Sequence, residues 1–134
     1  MSNFSHYTLQ EAIYGLLSGD STLSSLVTAV YDRPPQDSAY PYITLGESTI
    51  NDWSTKTSNG TEQLLTLHIW SRNGGRKESA LIMQRVYQLL HQASLSVTGQ
   101  ALVQIRFVTS DITLESDGYT YQGIMRFRAF LESN

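Results

Sequence analysis

The segment "ALVQIRFVTSDITLESDGYTYQGIMRFRAFLE", residues 101–132, decides the fold, because two long alternating stretches flank the turn signal "SDG". Apolar side chains share one face of each stretch. On the first stretch they are Val103, Ile105 and Phe107, and on the second they are Met125, Phe127, Ala129 and Leu131. The segment therefore predicts an antiparallel β-hairpin with one buried face.

The register of this hairpin depends on the length of its turn. A two-residue turn at "DG" would place Phe107 opposite Arg128 and would mismatch the two apolar faces. A three-residue loop over residues 116–118 pairs Phe107 with Phe127 instead. The sequence therefore predicts an odd loop with Gly118 at positive φ, or a compensating β-bulge.

A strand and a helix precede the hairpin. In "TEQLLTLHIWS", Leu65, Leu67 and Ile69 share one face, which is typical of a strand buried on one side. The main helix is predicted over residues 76–92. Its apolar stripe consists of Ile82, Met83, Val86, Leu89 and Leu90.

Shorter elements begin the chain. Thr8 and Glu11 have the spacing of a capping box, and Gly19 is placed to end that helix in the left-handed conformation. "DSTLSSLVTAV" predicts a second, shorter helix, and "YITLG" predicts a strand after a proline-rich segment. The order predicts an α+β fold, with a single mainly antiparallel β-sheet and two main helices packed on one face.

A polar stretch at about residues 47–62, "ESTINDWSTKTSNG" and its flanks, separates two strands. It is either a long hairpin arm or a loop, and long ordered loops tend to be functional or to meet partners. Trp53 in this arm is either an anchor for a partner, since tryptophan is enriched at interface hot spots, or is packed back on its own sheet.

Composition narrows the classes of function. The 134 residues predict one domain, and the absence of cysteine excludes disulfides and thiolate metal sites. A formal charge of −3 argues against bulk attraction to DNA but leaves room for a local basic patch. No signal peptide or membrane-length apolar run is visible, so we expect a soluble protein made in a cytoplasm.

The junction before the main helix has the features of a possible phosphate site. Gly74 and Gly75 are followed by Arg76 and Lys77, and glycines with cations at a helix start bind anions in many proteins. However, a Walker loop needs Lys followed by Ser or Thr, whereas Glu78 follows here and would lie at the N3 position. A strand-to-helix turn is the favoured interpretation.

Residues with catalytic or metal-binding chemistry are not grouped in the sequence. His6, His68 and His91 have no ligand spacing, no G-x-S-x-G elbow is present, and no paired carboxylates converge on one element. His91, at the end of the main helix, is placed where a cation is favoured by the helix dipole. We therefore expect no enzyme activity, no cofactor and no metal.

Three arginines of the hairpin form a possible patch. In the three-residue-loop register Arg106 lies opposite Arg128, and Arg126 lies two residues along on the same face. Like charges opposite each other on a sheet are unfavourable, so an acidic group should meet them. It belongs to this chain or to a neighbouring subunit, or it is a nucleic-acid backbone.

An ordered set of short motifs resembles the tail-completion, or tail-terminator, family of long-tailed bacteriophages, prophages and gene transfer agents. The motifs are "YDRPP…YPYITLGE", "DWSTKTSNGTEQLLTLHIWSR", "GRKES…I…V…LH", "LVQIRF" and "DGYTYQGIMRFRA". The resemblance implies a structural virion protein that forms a ring, usually a hexamer, on the end of the tail tube. Such a ring stops tube polymerisation and meets the head–tail connector. Where many relatives carry histidine after the "DG" turn, this chain has Tyr121.

The resemblance also implies where partners bind. The expected partners are other copies of the chain, the tail tube protein and the connector protein, in a virion tail assembled in the host cytoplasm. The expected interface residues are Asp52, Trp53, Ser54, Thr55, Lys56, Arg72, Arg76 and Lys77. A channel lined by Arg106, Arg126 and Arg128 could contact passing DNA without reading its sequence.

Two other classes of function remain open at this stage. One is a small phosphate- or nucleic-acid-binding module that uses residues 74–77 and the arginine patch, with salt-sensitive binding. The other is a hydrolase, which would need a deep pocket containing titrating groups with perturbed pKa values.

Overall fold

The computed structural model describes residues 4–133, which form helices and strands in the order that the sequence predicts. The helices are α1 (Thr8–Gly19), α2 (Ser21–Leu26) and α3 (Lys77–Leu90). The strands are β1 (Ala29–Tyr31), β2 (Tyr42–Asp52), β3 (Gly60–Ser71), β4 (Ser96–Val97), β5 (Gln100–Leu114) and β6 (Tyr121–Ser133). They form one six-stranded sheet in the order β1-β2-β3-β6-β5-β4. β1 runs parallel to β2 and every other neighbouring pair is antiparallel, which confirms the α+β class.

The centre of the sheet is the pairing of β3 with β6, whose register is continuous from Gly60↔Glu132 to Ser71↔Tyr121. The predicted apolar faces meet there, with Leu65 opposite Phe127. The predicted stripe of α3 packs onto this face and forms one core with residues of α1 and α2. Side chains on the opposite face, here called the outer face, lie outside this core.

The β5–β6 hairpin has the predicted pairing of Phe107 with Phe127, and Gly118 has a positive φ of 82°. The loop itself is even rather than odd, because the Glu115 N–H bonds the Thr120 carbonyl at 2.7 Å. A bulge between residues 107 and 109 restores the match, which is the second of the two predicted solutions.

A second bulge in β5 overturns one detail of the sequence prediction. The register shifts between Leu102 and Gln104, so Val103 is the extra residue and does not share the core face with Ile105. Accordingly, Val103 is 49% exposed, whereas Ile105 is fully buried. The alternating pattern could not reveal this, because a bulge changes the facing of residues without changing their composition.

Both predicted features of the α1 termini are wrong. Thr8 is the first residue of the helix rather than its N-cap, and the Ser5 hydroxyl accepts hydrogen bonds from the N–H groups of Tyr7 and Thr8. Gly19 is not left-handed, since the helix passes directly into an extended Asp20 with φ of −84°. A polar side chain just outside the helix therefore does the work that the sequence pattern assigned to Thr8.

Asp20 connects all three helices. Its carboxylate caps α2 by accepting a hydrogen bond from the Leu23 N–H at 2.8 Å. Arg85 of α3 donates to the same carboxylate from Nε at 2.9 Å and from Nη2 at 2.7 Å, a bidentate pair. The hydrogen bond from Arg85, followed by that from the Leu23 N–H, lowers the pKa of Asp20 to about 2. The corner between α1 and α2 is thereby tied to α3.

We predict that this pair makes stability depend on pH in the acid range. The pKa of Asp20 is about 2 in the folded chain against an ordinary value of 3.8, so its contribution to stability is complete above pH 3.8 and is lost as pH falls toward 2. Asp20→Asn should lower the melting temperature at pH 7 and should weaken the fall in melting temperature between pH 5 and pH 2. Circular dichroism melts measure both effects.

The matched control for this experiment is Asp32→Asn, which removes another carboxylate from an exposed position in a loop. Its melting curves should follow those of the wild type over the same pH range. Equal pH profiles for Asp20→Asn and the wild type would contradict the assigned role of Asp20.

Candidate interaction surfaces

The outer face of the sheet carries the predicted arginine patch. Arg106 lies opposite Arg128, as the sequence predicts, and Arg126 points to the same side. Arg128 Nε is 3.0 Å from Glu62 Oε2, an ion pair without hydrogen-bond alignment, and Arg126 Nη1 is 3.7 Å from Asp111. Two of the three cations therefore have acidic partners on neighbouring strands of the same chain.

Arg106 differs from the other two arginines. Within residues 4–133 no carboxylate lies within ion-pairing distance of its guanidinium, and its side chain is exposed. Since it faces Arg128 across the ladder, it adds positive charge where the sheet itself supplies no compensation. Arg106 is the member of the patch whose charge remains available to a partner.

The predicted arm is a β-hairpin with an ordered tip. β2 and β3 extend to Asp52 and Gly60, so the connecting loop contains only residues 53–59. Within it the Trp53 N–H bonds the Gly60 carbonyl at 2.9 Å, and the Ser54 hydroxyl bonds the Gly60 N–H at 3.1 Å. At the tip, Thr55 N–H bonds the Ser58 carbonyl at 2.8 Å. The loop is held by its own hydrogen bonds rather than by a partner.

Trp53 packs back on its own sheet, which is one of the two roles that the sequence left open, and part of its surface stays exposed. Its ring packs on Phe130 of β6 at a centroid distance of 4.8 Å, yet 42% of the residue remains exposed. A partly buried tryptophan with a fixed ring presents apolar surface at a small cost in conformational entropy, which favours a role in an interface. The remaining predicted arm residues, Asp52, Ser54, Thr55 and Lys56, are exposed around it.

The junction at residues 72–77 is a compact corner. Gly74 takes a positive φ of 64°, and Glu78 lies at the second position of α3 rather than at the predicted third, because Arg76 is the N-cap. The Glu78 carboxylate accepts hydrogen bonds from Ser71 at 2.5 Å and Asn73 at 3.3 Å. These contacts join the end of β3 to the start of α3 and account for the geometry of the turn.

Arg72 belongs to an aromatic cluster that the sequence did not reveal. Its guanidinium lies 4.2 Å from the ring centroid of Tyr40 and 4.9 Å from that of Tyr119, and its Nε donates to Thr120 at 2.9 Å. Tyr119 is 55% exposed. Exposed tyrosine and arginine are the residues most enriched at protein interfaces, so this cluster supports the predicted interface role of Arg72.

The same cluster is held by the β5–β6 loop. The Asp117 carboxylate accepts hydrogen bonds from the Thr120 hydroxyl and from the N–H groups of Tyr119 and Thr120. These bonds, and to a smaller extent the charge of Arg72, lower the pKa of Asp117. Nearby, Arg76 lies 5.5 Å from the ring of Tyr121, whereas Lys77 is exposed at the start of α3. The only signal in the sequence was the high number of tyrosines.

The three histidines have separate structural contacts. His6 bonds the Ser48 hydroxyl at 2.6 Å, His68 bonds Gln122 at 2.8 Å, and His91 Nδ1 accepts a hydrogen bond from the Phe107 N–H at 3.0 Å. His91 is the C-cap of α3, the helix-end position that the sequence predicts. Within residues 4–133 no group of side chains has metal-site geometry, and no helix is long and apolar enough to span a membrane.

Comparison with known proteins gives consistent matches over most of the chain. The sequence model of the family described as "Tail completion protein gp17" matches residues 11–132. The tail completion protein gp17 of Bacillus phage SPP1 is 30% identical over 128 residues, which cover 94% of this chain and 93% of that protein.

Two solved structures are similar in fold and in sequence. A chain in the virion of a native gene transfer agent particle superposes with a TM-score of 0.91 at 28% identity, covering 98% of this chain and 100% of that chain. The structure of the gp17 protein of bacteriophage SPP1 gives a TM-score of 0.66 at 28% identity, covering 92% and 88% of the two chains.

We predict that Gly60 is required for the ordered arm. A Cβ atom at this position would lie 2.8 Å from the Trp53 carbonyl oxygen and 3.0 Å from that of Leu131. Gly60→Ala should therefore destabilise the fold by about 1–3 kcal/mol, as other overpacking substitutions do. It should also change the fluorescence of Trp53, measured in a Trp70→Phe background together with urea unfolding.

The control is Gly75→Ala, since a Cβ atom at residue 75 would meet no atom within 4 Å. Its stability and Trp53 emission should remain close to those of the parent. A Gly60→Ala variant as stable as the Gly75→Ala variant would show that the close approach at Gly60 is not a constraint.

Proposed function

The chain belongs to the tail completion protein gp17 family, and on that premise we propose that it forms a ring, with six subunits, on the end of the tail tube. The family role is structural completion of the virion tail and is not enzymatic. In our proposal the ring ends polymerisation of the tube and then binds the head–tail connector. Assembly takes place in the host cytoplasm.

The observation that carries the proposal is the likeness to a virion component. The superposition with the gene transfer agent chain has a TM-score of 0.91 and includes 100% of that chain. The backbone of a virion component thus has a counterpart along nearly all of this chain. This supports a role within an assembly over a role as a free binding module.

The chemistry of the surfaces also supports assembly. The two carboxylates with a lowered pKa, Asp20 and Asp117, bond to a helix end and to a turn, respectively. Neither arrangement supplies a poised acid or base, which a hydrolase site would need. What the chain does present is an ordered arm with Trp53 and an exposed cluster around Arg72.

The positions of these two surfaces suit two different partners. The arm lies at the start of β3 and the junction lies after its end, and a strand of this length separates them by about 36 Å at ~3.3 Å per residue. In our proposal, one end of the domain meets the tail tube and the other meets the connector. The sides of the sheet are then available for contacts between copies of the chain.

The arginine patch on the outer face suits the wall of the channel. Arg126 and Arg128 are largely balanced by Asp111 and Glu62, so the face offers moderate positive charge centred on Arg106. A weakly positive wall can contact the phosphates of a passing duplex without binding it tightly. We propose that this face lines the ring.

We predict that the purified protein assembles into rings with a central hole. For the protein alone, light scattering should give a mass of six times the 15.0 kDa chain, and negative-stain microscopy should show the hole. After incubation with open-ended tail tubes, microscopy should show such rings on the tube ends. Rings should cap the tubes and stop their elongation. A protein that remains a monomer under both conditions and leaves the tubes growing would contradict the proposal.

We also predict that Arg106 sets the electrostatic contact with DNA. Arg106→Glu should reduce the salt dependence of binding to linear duplex DNA, because fewer counterions are released. Fluorescence anisotropy of assembled rings over a range of salt concentrations measures this slope.

Arg106→Lys is the matched control and should retain the wild-type slope, since it keeps the charge. Melting temperature and ring mass should be unchanged in both variants because Arg106 is exposed. Equal salt slopes for the Glu and Lys variants would show that this face does not contact DNA.

A further inference from the structure

Both edges of the sheet have backbone groups that could pair with another strand. The two open stretches lie at the same level along the strands. The register connects one row of residues across five strands: Val30, Ile43, Ile69, Gly123 and Ile112. The edge strand β1 and the distal half of β5 therefore face outward on opposite sides of the sheet at one level. A head-to-tail contact needs two different surfaces placed in this way.

The edge of β5 is protected along only part of its length. β4 pairs with Gln100 and Ala101, and farther along the Gln92 N–H bonds the Ile105 carbonyl while His91 accepts from the Phe107 N–H. Within residues 4–133 no other segment pairs with the open side of residues 109–114. A long edge left open in this way is a template for strand addition.

The alternation of hydrogen bonds shows which backbone groups are available. The Glu115 N–H bonds the Thr120 carbonyl, so the alternate residues toward the bulge bond to β6. The residues between them, Ser110, Ile112 and Leu114, consequently turn their N–H and C=O groups to the open side. Their side chains lie on the helix side of the sheet, and Leu114 is 47% exposed there.

A groove runs beside β1 on the other side of the molecule. Residues 27–31 form one wall, and Tyr14, Leu17 and Ser18 of α1 contribute to the other, around a volume of 310 Å³. Tyr14 is 44% exposed along it. The groove thus combines a strand edge with apolar and aromatic side chains, which is the arrangement that binds an added strand.

The two edges are complementary in direction and in layer. β1 is parallel to β2, and three antiparallel pairings then lead to β5, so β5 runs opposite to β1. A copy placed alongside in the same orientation would bring its β5 antiparallel to β1. Leu114 of that copy would then lie in the helix-side layer, next to Tyr14.

We propose that residues 109–114 of one copy enter the groove beside β1 of the next copy and pair antiparallel with it, so that a second copy of this chain is the occupant. This inference rests on the proposed ring and specifies its subunit contact. The sheets of successive copies become continuous, with the outer faces on one side and the helices on the other.

Cysteine cross-linking tests the pairing directly, because the natural chain contains no cysteine. Ala29→Cys and Thr113→Cys lie in one row but are separated within a chain by four strand spacings of ~4.8 Å, about 19 Å, too far for an internal disulfide. The double variant should give a ladder of covalent oligomers with a short bis-maleimide. Each single variant should stay monomeric, and an equal mixture of the two should stop at dimers.

Substitutions at the β5 edge provide a second test with a matched control. Ser110→Pro removes an outward N–H, and Leu114→Lys places a charge in the contact. Both should reduce the scattering mass from the ring to the 15.0 kDa chain with an unchanged circular dichroism spectrum. Thr113→Lys adds the same charge one residue away on the outer face and should still assemble.

The outcomes separate the subunit contact from the ring itself. If the wild type forms rings but the double-cysteine variant gives no ladder, the β5–β1 pairing is overturned and the proposed ring stands. The same holds if Leu114→Lys still forms rings. A ladder with filaments instead of rings would support the pairing and overturn ring closure. Dimers of a single-cysteine variant would indicate a symmetric contact and overturn the pairing, and absence of both ladder and rings would overturn both proposals.

Discussion

The continuous register between β3 and β6 is the constraint on which the rest of the structure depends. It places Leu65 beside Phe127 on the side covered by the helices. Because side chains alternate, the same register puts Glu62 and Arg128 together on the outer face, where they form an ion pair. A shift of one residue would expose the core and bury the charges, so packing and surface chemistry are fixed by one choice of register.

The two bulges of β5 allow the sequence of β5 to pair with β6 while the register between β3 and β6 is kept. Without the bulge near Val108, the even loop closed by Glu115 and Thr120 would put polar residues on the core face. Both extra residues are valines, and Val103 and Val108 are 49% and 39% exposed. The sequence predicted the need for a compensating bulge from the mismatch between turn and pattern. The positions of both bulges depend on tertiary packing, and nothing in the pattern indicated the second one, so the facing of Val103 was predicted wrongly.

Long periodic elements were predictable from the sequence because many residues agree on one period, as the stripe of α3 shows. Single contacts between distant residues were not. Asp20 had to be recognised as both a helix cap and the partner of Arg85, which is 65 residues away. Likewise Glu78 was expected at the N3 position of α3 but lies at the second position and accepts a hydrogen bond from Ser71. The position of Arg106 opposite Arg128 was predicted from the hairpin register, whereas Glu62, the acidic partner of Arg128, lies on β3.

Some hydrogen-bonding groups are paired within the chain, and others are open at the edge of the sheet. This distribution explains why an assembly protein can have this fold. Where the chain must be stable alone, its polar groups are paired, as at Asp20, Asp117 and the tip of the arm. In the proposed contact the sheet would continue into a neighbouring copy, so pairing of that edge within the chain would block it. An open edge is an aggregation hazard in a monomer, and the bulge at Val108 limits the hazard because it bends the edge strand. In the proposed contact every copy would meet the next through the same pair of edges, and a contact repeated with a constant rotation is what allows a ring to close.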